Sequence, residues 1–222
     1  MALIKRMVSL IERMALIKRM VSLIERMANR LNQFDPDKTM KLLDWTIRKF
    51  RIQANAHLHN NKVIYRGEVY WCYLGENIGN EESKKRPVVI IQNQKGNDHS
   101  PTTIVAPITN ATIDLPIAVP INRAQNPNVT GTIDLGQIKV VHKARLIGNS
   151  IDKLKNSELK KVDMAIMKSV GTYNHLIREQ RKFEQKERYA KSLNQVLSEI
   201  KKELGITKNE DILNAIKSIK SK

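Results

Sequence analysis

At 222 residues the chain can hold one domain of ordinary size or a small domain with long extensions, and it is 41% apolar but only 5% aromatic. Its 39 Lys and Arg against 22 Asp and Glu give a formal net charge of +17, which favours a polyanionic partner, nucleic acid ahead of a membrane surface. Cys72 is the single cysteine, which excludes an internal disulfide and a thiol-built zinc site, and no apolar run approaches the roughly 20 residues of a bilayer span.

Residues 1–13, MALIKRMVSLIER, recur unchanged as residues 14–26. Within one copy Leu3, Ile4, Met7, Leu10 and Ile11 share a helical face. A step of 13 residues turns that face by roughly 220° at 100° per residue. A break between the copies is therefore expected, with residues 1–26 disordered or in short helices. A basic amphipathic helix that touches a membrane or a partner is the alternative. Basic residues interrupt each apolar stretch here, so no signal peptide is expected and a reducing cytoplasm fits best.

Residues 27–61 read as a helical N-terminal extension. Asp35 can cap, Pro36 suits a first turn, and Met40, Leu43, Ile47, Phe50 and Ala54 form a stripe over 35–56. Trp45 lies off that stripe and is free to meet another surface. His57 and His59 have no third ligand nearby, so no metal site is expected there.

From residue 63 the period changes to two. Strands are expected at 63–74, 86–92, 102–109, 117–122, 131–134 and 138–141, with turn-forming runs at 75–84, 95–100 and 123–130. Short, closely spaced strands suit a small closed barrel. Cys72 alternates with Trp71 and Tyr73 and reads as a small buried strand residue, not a catalytic thiol. Helix returns at Ser157, with Leu159, Val162, Ile166, Val170 and Tyr173 at helical spacing. A second stripe, Leu193, Val196, Leu197, Ile200 and Leu204, ends at Gly205. Thr207 and Glu210 then have capping-box spacing. The strand-rich domain spans 62–178, and 179–222 form a basic helical C-terminal extension.

Three runs in the middle carry more than a fold. They are Arg66-Gly67-Glu68-Val69-Tyr70-Trp71, Lys85-Arg86-Pro87-Val88-Val89-Ile90-Ile91-Gln92-Asn93, and Ser100-Pro101-Thr102-Thr103-Ile104-Val105-Ala106-Pro107-Ile108-Thr109. Together they resemble the MazF/PemK family of toxins, over roughly residues 62–170. The resemblance implies an SH3-like β-barrel core of the CcdB/PemK type with helical extensions, α+β by content. It implies a homodimeric, cytoplasmic toxin of a bacterial type II toxin–antitoxin system. The implied activity is sequence-specific, metal-independent and cofactor-free cleavage of single-stranded RNA, restrained by an antitoxin with an acidic C-terminal tail.

Cleavage without metal needs the ribose 2′-hydroxyl to attack phosphorus, a proton to reach the departing 5′-oxygen, and donors for the charge that grows on the non-bridging oxygens. A histidine pair could move the protons, but His99 sits in a loop and His142 near a strand end. The resemblance instead carries the family's catalytic arginine onto Arg86 and its catalytic threonine onto Thr109. A guanidinium suits phosphate and is a poor free base, so Arg86 is assigned first to charge stabilisation and second to proton donation. In the 75–85 loop, Asn80 and Glu81 occupy a Ser-Glu-like position that can meet RNA. In the run Gly136-Gln137-Ile138-Lys139-Val140-Val141-His142-Lys143-Ala144-Arg145-Leu146, Gln137 and Arg145 match family positions, where they could read a base edge and hold a phosphate. Two rival readings are a CcdB-like gyrase poison without nuclease activity and a non-catalytic RNA-binding module.

Overall fold

Seven antiparallel strands form a sheet whose order follows from where the chain can be buried. A computed structural model describes residues 2–31, 35–111 and 113–205 together with Lys217. The Thr207/Glu210 capping box lies outside them. The chain divides into two compact units, Met1–Val162 and Asp163–Lys222.

In the first unit the strands are β1 (Glu68–Gly75), β2 (Lys84–Ile90), β3 (Thr102–Thr109), β4 (Ala118–Pro120), β5 (Thr132–Asp134), β6 (Lys139–His142) and β7 (Leu146–Lys153). Their order is β4-β5-β3-β2-β1-β7, with β6 paired to β3. Strand β3, free of charge, is buried along most of its length. Its first half pairs with β6 and its end with β5, while Val105–Pro107 pair with β2. The mixed α+β content is as expected. Closure is not seen: among the described residues the end strands β4 and β7 do not pair, so the sheet stays open.

Alternation on β1 and β2 sends Tyr70, Cys72, Leu74, Val88 and Ile90 into one cluster with Ile64, Val105, Val141 and Leu146. Val69 and Val89, on the opposite face, are fully buried too. Burial pushes the Cys72 thiol up to about 12, against the pull of Arg145 and Lys62, so it stays protonated.

Two elements depart from the pattern-based expectation. Strand β7 is not among the strands expected, and the free edge of β1 pairs with it across a bulge between Val69 and Trp71 despite its Gly148-Asn149-Ser150 run. Residues 95–100 read as a turn but mostly fall in a short helix, α3 (Gln94–His99), because the Asn93 side chain accepts from Gly96 N–H at 2.8 Å and caps it.

The doubled start is one continuous helix, α1 (Ala2–Leu31), not two broken ones. Each copy carries apolar residues on more than one face. Met7, Leu10, Met14, Ile17, Val21 and Ile24 therefore recur every three or four residues straight across the join. All six are exposed. Helix α2 (Pro36–Ala54) starts as expected, with Asp35 accepting from Asp37 N–H at 2.9 Å. Its stripe residues Met40, Leu43, Ile47 and Phe50 are exposed, and the off-stripe Trp45 makes the contact with the sheet. An added Cβ on Gly75 (φ +101°) would meet its indole at 2.7 Å, so the ring lies directly on the end of β1.

Helix α4 (Asn156–Ser169) begins with a buried carboxylate. Glu158, 5% exposed, accepts from Asn126 Nδ2 at 2.7 Å, Lys155 N–H at 3.1 Å and Asn122 N–H at 3.4 Å. It pins the 121–130 loop, which is also tied to β7 through Asn128. In the second unit, helix α5 (Tyr173–Leu204) ends at Gly205 in the left-handed region, φ +64°, as a C-terminal cap requires. The run expected to continue through Tyr173 is interrupted before it by Gly171 at φ +76°. Among the described residues no helix is long and apolar enough to cross a membrane.

Glu158→Ala should lower stability by about 2–4 kcal/mol, because it strands several donors near a buried site. Thermal and urea unfolding will measure the loss, which should exceed that of Glu179→Ala on exposed α5.

Candidate active site

The two residues expected to react sit near the ends of neighbouring strands. Val88 faces Pro107, Val89 faces Ala106 and Ile90 faces Val105, and the pairing stops two residues short of Arg86 and of Thr109. Cys72 of β1 pairs with Arg86 on the other side, and Thr132 of β5 pairs with Thr109.

Arg86 is partly exposed. Its Nε donates to the Ser83 carbonyl at 3.0 Å and contacts Glu82 Oε2 at 2.7 Å. Both contacts use Nε, so the terminal amino groups carry the donors that a phosphate could take. Thr109 is 6% exposed, and its hydroxyl oxygen accepts from Ala111 N–H at 3.3 Å. That bond occupies a lone pair and leaves the hydroxyl proton able to donate. Gly131 lies against the Thr109 carbonyl so closely that an added Cβ would strike it, which fixes the backbone at this point. A cleft of about 320 Å³ opens here. Lys84, Lys85 and Arg86 line one part, and Ile108, Asn110 and Thr130 another. Thr109 itself is not part of the lining, although both its chain neighbours are.

The 76–83 loop is held down from β6 and the turn before it. Gln137 accepts from Glu82 N–H at 2.5 Å and donates to the Asn80 carbonyl at 3.0 Å. Lys139 donates to the Glu82 carbonyl at 3.0 Å and lies 3.5 Å from the Glu81 carboxylate. Asn80, Glu81 and Gln137 are thus brought together with Arg86 around one loop. Arg145 is elsewhere: it donates to the carbonyls of Leu74 at 3.1 Å and Tyr73 at 3.4 Å, and its guanidinium lies 5.2 Å from the centre of the Trp45 ring.

Several residues of this region escaped the sequence reading. Glu82 pairs with Arg86 four residues on and was within reach of local reading, whereas Lys139 anchors the loop from a segment far away in sequence. Lys84 and Lys85 form a visible basic run with Arg86 and could have been flagged. Lys85 Nζ sits 5.1 Å from the centre of the Trp71 ring. The histidines do not join the site: His99 donates to the Lys95 carbonyl and His59 to the Asn55 carbonyl. Among the described residues no group of three His, Cys, Asp or Glu side chains could hold a metal ion.

Comparison with known proteins now adds to the geometry. The model of a family described as PemK-like, MazF-like toxin of type II toxin–antitoxin system matches residues 65–170. The endoribonuclease MazF of Staphylococcus epidermidis is 38% identical over 115 residues, covering 50% of this chain and 95% of that enzyme. The chain belongs to the MazF/PemK toxin family. Solved structures similar to it include MazF from Deinococcus radiodurans, at 16% identity and a TM-score of 0.45, covering 49% of this chain and 97% of that one. Another is a mycobacterial endoribonuclease in complex with its cognate antitoxin, at 22% identity and a TM-score of 0.43, covering 49% and 96%. Helices α1, α2 and α5 of this toxin-family chain lie outside the matched residues.

His142 gives a pH test. Burial, then His59, Arg145 and Lys143, hold its imidazole below the ordinary 6.5. Its Nδ1 accepts from Ala144 N–H at 3.1 Å, which requires the neutral ring. The unfolded chain therefore binds more protons just below pH 6.5, so stability falls as pH drops through that value. His142→Gln should flatten this acid-side decline in urea titrations run across the range.

Proposed function

We propose that this chain is an endoribonuclease toxin of a bacterial type II toxin–antitoxin system that cuts single-stranded RNA at specific sequences. The position of Arg86 in a cation-lined cleft, flanked by the chain neighbours of Thr109 and within the family-matched residues, carries the reading. The open, curled sheet belongs to the SH3-like barrel class of CcdB and PemK toxins. The toxin works in the cytoplasm as a homodimer, with RNA bound near the interface and an antitoxin whose acidic tail competes for the basic cleft.

The reaction needs only side chains already present and solvent water. The ribose O2′ bonds to the adjacent phosphorus as its proton passes to water, and the P–O5′ bond breaks as O5′ takes a proton from Arg86, which water restores. A 2′,3′-cyclic phosphate and a 5′-hydroxyl end result. Charge building on the non-bridging oxygens meets the terminal amino groups of Arg86 and the hydroxyl of Thr109. Fixed donors aimed at such charge are usually the largest catalytic contribution. Arg86 also serves as proton donor to O5′. Phosphate competes with the Glu82 carboxylate for the guanidinium, so RNA entry and loosening of the Glu82–Arg86 pair are linked. Asn80, Glu81 and Gln137 reach bases or ribose hydroxyls when the loop shifts, since its backbone now occupies Gln137. Arg145 supports the neighbouring strand end and lends positive charge. A CcdB-like gyrase poison would leave RNA uncut, and a non-catalytic RNA-binding module would bind without cutting.

Arg86→Lys should retain fold and most RNA affinity yet lose about 100-fold or more in single-turnover cleavage, the scale of one transition-state donor. Thr109→Val should split binding from rate in the same way. Cleavage should persist in excess chelator and vanish when the nucleotide at the cut carries deoxyribose. Near-parental cutting by Arg86→Lys, or cutting of the deoxy substrate, would overturn the mechanism.

A further inference from the structure

A second cleft, of about 330 Å³, lies between α2 and the β1–β2 hairpin. Its lining includes Lys41, Trp45, Arg48, Tyr73, Lys84 and Lys85. Asp44 and Glu76 face it as well, so four cations meet two carboxylates. Lys84 and Lys85 line this cleft and also the one that contains Arg86. The two clefts are therefore adjacent parts of one basic surface.

We infer that α2 and the β1–β2 hairpin form an accessory subsite for the single-stranded RNA that flanks the cut. The inference rests on the endoribonuclease reading above. A flexible strand held without regard to sequence calls for cations along its backbone and ring faces for its bases. Both are present in alternation. Trp71 lies under Lys85 in the first cleft. In the second, Tyr73 is held by Arg48, whose Nη1 donates to the Tyr73 hydroxyl at 2.8 Å and whose guanidinium lies 4.6 Å from the ring centre. Trp45, seated on Gly75 and backed by Arg145, is a fixed platform with little rotamer freedom left to lose.

The turn that joins the two clefts is unusual. Lys84 has φ +68° and is the one described non-glycine residue with positive φ. It faces Gly75 at an irregularity in the β1–β2 register. A side chain kept where glycine fits more easily suggests a use for its ammonium group. The helix that completes the cleft lies outside the residues matched to the toxin family, so the subsite is an addition by this chain to a shared core.

The test measures affinity of the full chain for two RNA oligonucleotides blocked by deoxyribose at the cut. One spans only the cut and its immediate neighbours; the other extends well beyond it on both sides. The parent should bind the longer RNA about 10-fold or more tightly than the shorter, the scale of one or two stacked bases. Lys41→Gln/Trp45→Ala should remove most of that advantage and keep short-RNA affinity within about twofold, below the scale of one stacked base. Lys41→Gln alone, which leaves the Trp45 platform seated, should lower the slope of log affinity against log salt by roughly 0.7 for the longer RNA only. Lys84→Gly removes a cation while suiting the positive φ, so its loss of affinity, expected for both RNAs, cannot come from misfolding. Equal binding of the two RNAs by the parent, or equal loss for both in Lys41→Gln/Trp45→Ala, would overturn the subsite. So would displacement of an oligoglutamate peptide but not of RNA by these changes, which would assign the cleft to an acidic peptide. A parent that cuts RNA but shows no length advantage would fail here alone. A parent that neither binds nor cuts RNA would remove the endoribonuclease reading and the subsite with it.

Discussion

The site depends on β3 being buried on both sides of its backbone. Thr102–Thr109 must satisfy their hydrogen bonds with β2 on one edge and with β6 and β5 on the other, because water cannot reach most of them. A strand so constrained cannot slip. A shift of one residue would exchange its faces and bury Arg86 of β2 against a different partner. The hydrogen-bonding requirement of a buried strand is thus also what fixes Val88–Ile90 of β2 against Val105–Pro107 of β3 as one rigid pair.

Around this rigid pair the electrostatics are arranged for exchange. Arg86 holds a carboxylate in the absence of RNA, and Glu82 is in turn part of a loop whose backbone is gripped by Gln137 and Lys139. A partly exposed ion pair of this kind contributes little net stability. On the function proposed above, a phosphate would replace the carboxylate at small cost, with the guanidinium charge compensated before and after. The same loop contacts explain why Gln137 can belong to the site while its amide is bound to the backbone.

Much of the fold was legible in local pattern. Strand β3 has the expected limits, because an uncharged run bounded by Ser100-Pro101 and Asn110 leaves few alternatives. Helix α2 was readable from Asp35, Pro36 and its spacing. Strand β7 was not, since Gly148-Asn149-Ser150 favours a turn locally and only the edge of β1 makes a strand of it. The doubled start was misread because one stripe was traced in each copy. A helix can use different members of a repeated apolar set in successive turns, and α1 does so. For the candidate site, Arg86 and Thr109 were proposed from the runs that contain them. Lys139 and the Trp45 platform were not legible, because each acquires its contacts from a residue many positions away, and Glu82, only four residues before Arg86, was overlooked.

The sequence by itself determined the family and the positive charge, since these reside in motifs and composition. Tertiary structure decided the rest. It placed Arg145 under Trp45 and against strand carbonyls, set Lys139 on the Glu82 carbonyl, and laid α2 along the β1–β2 hairpin. The physical reason is that a motif specifies what a side chain can donate or accept. Which partner satisfies it depends on the segments that hydrophobic burial and strand pairing bring within about 3 Å, the reach of a hydrogen bond, and local pattern does not contain that information.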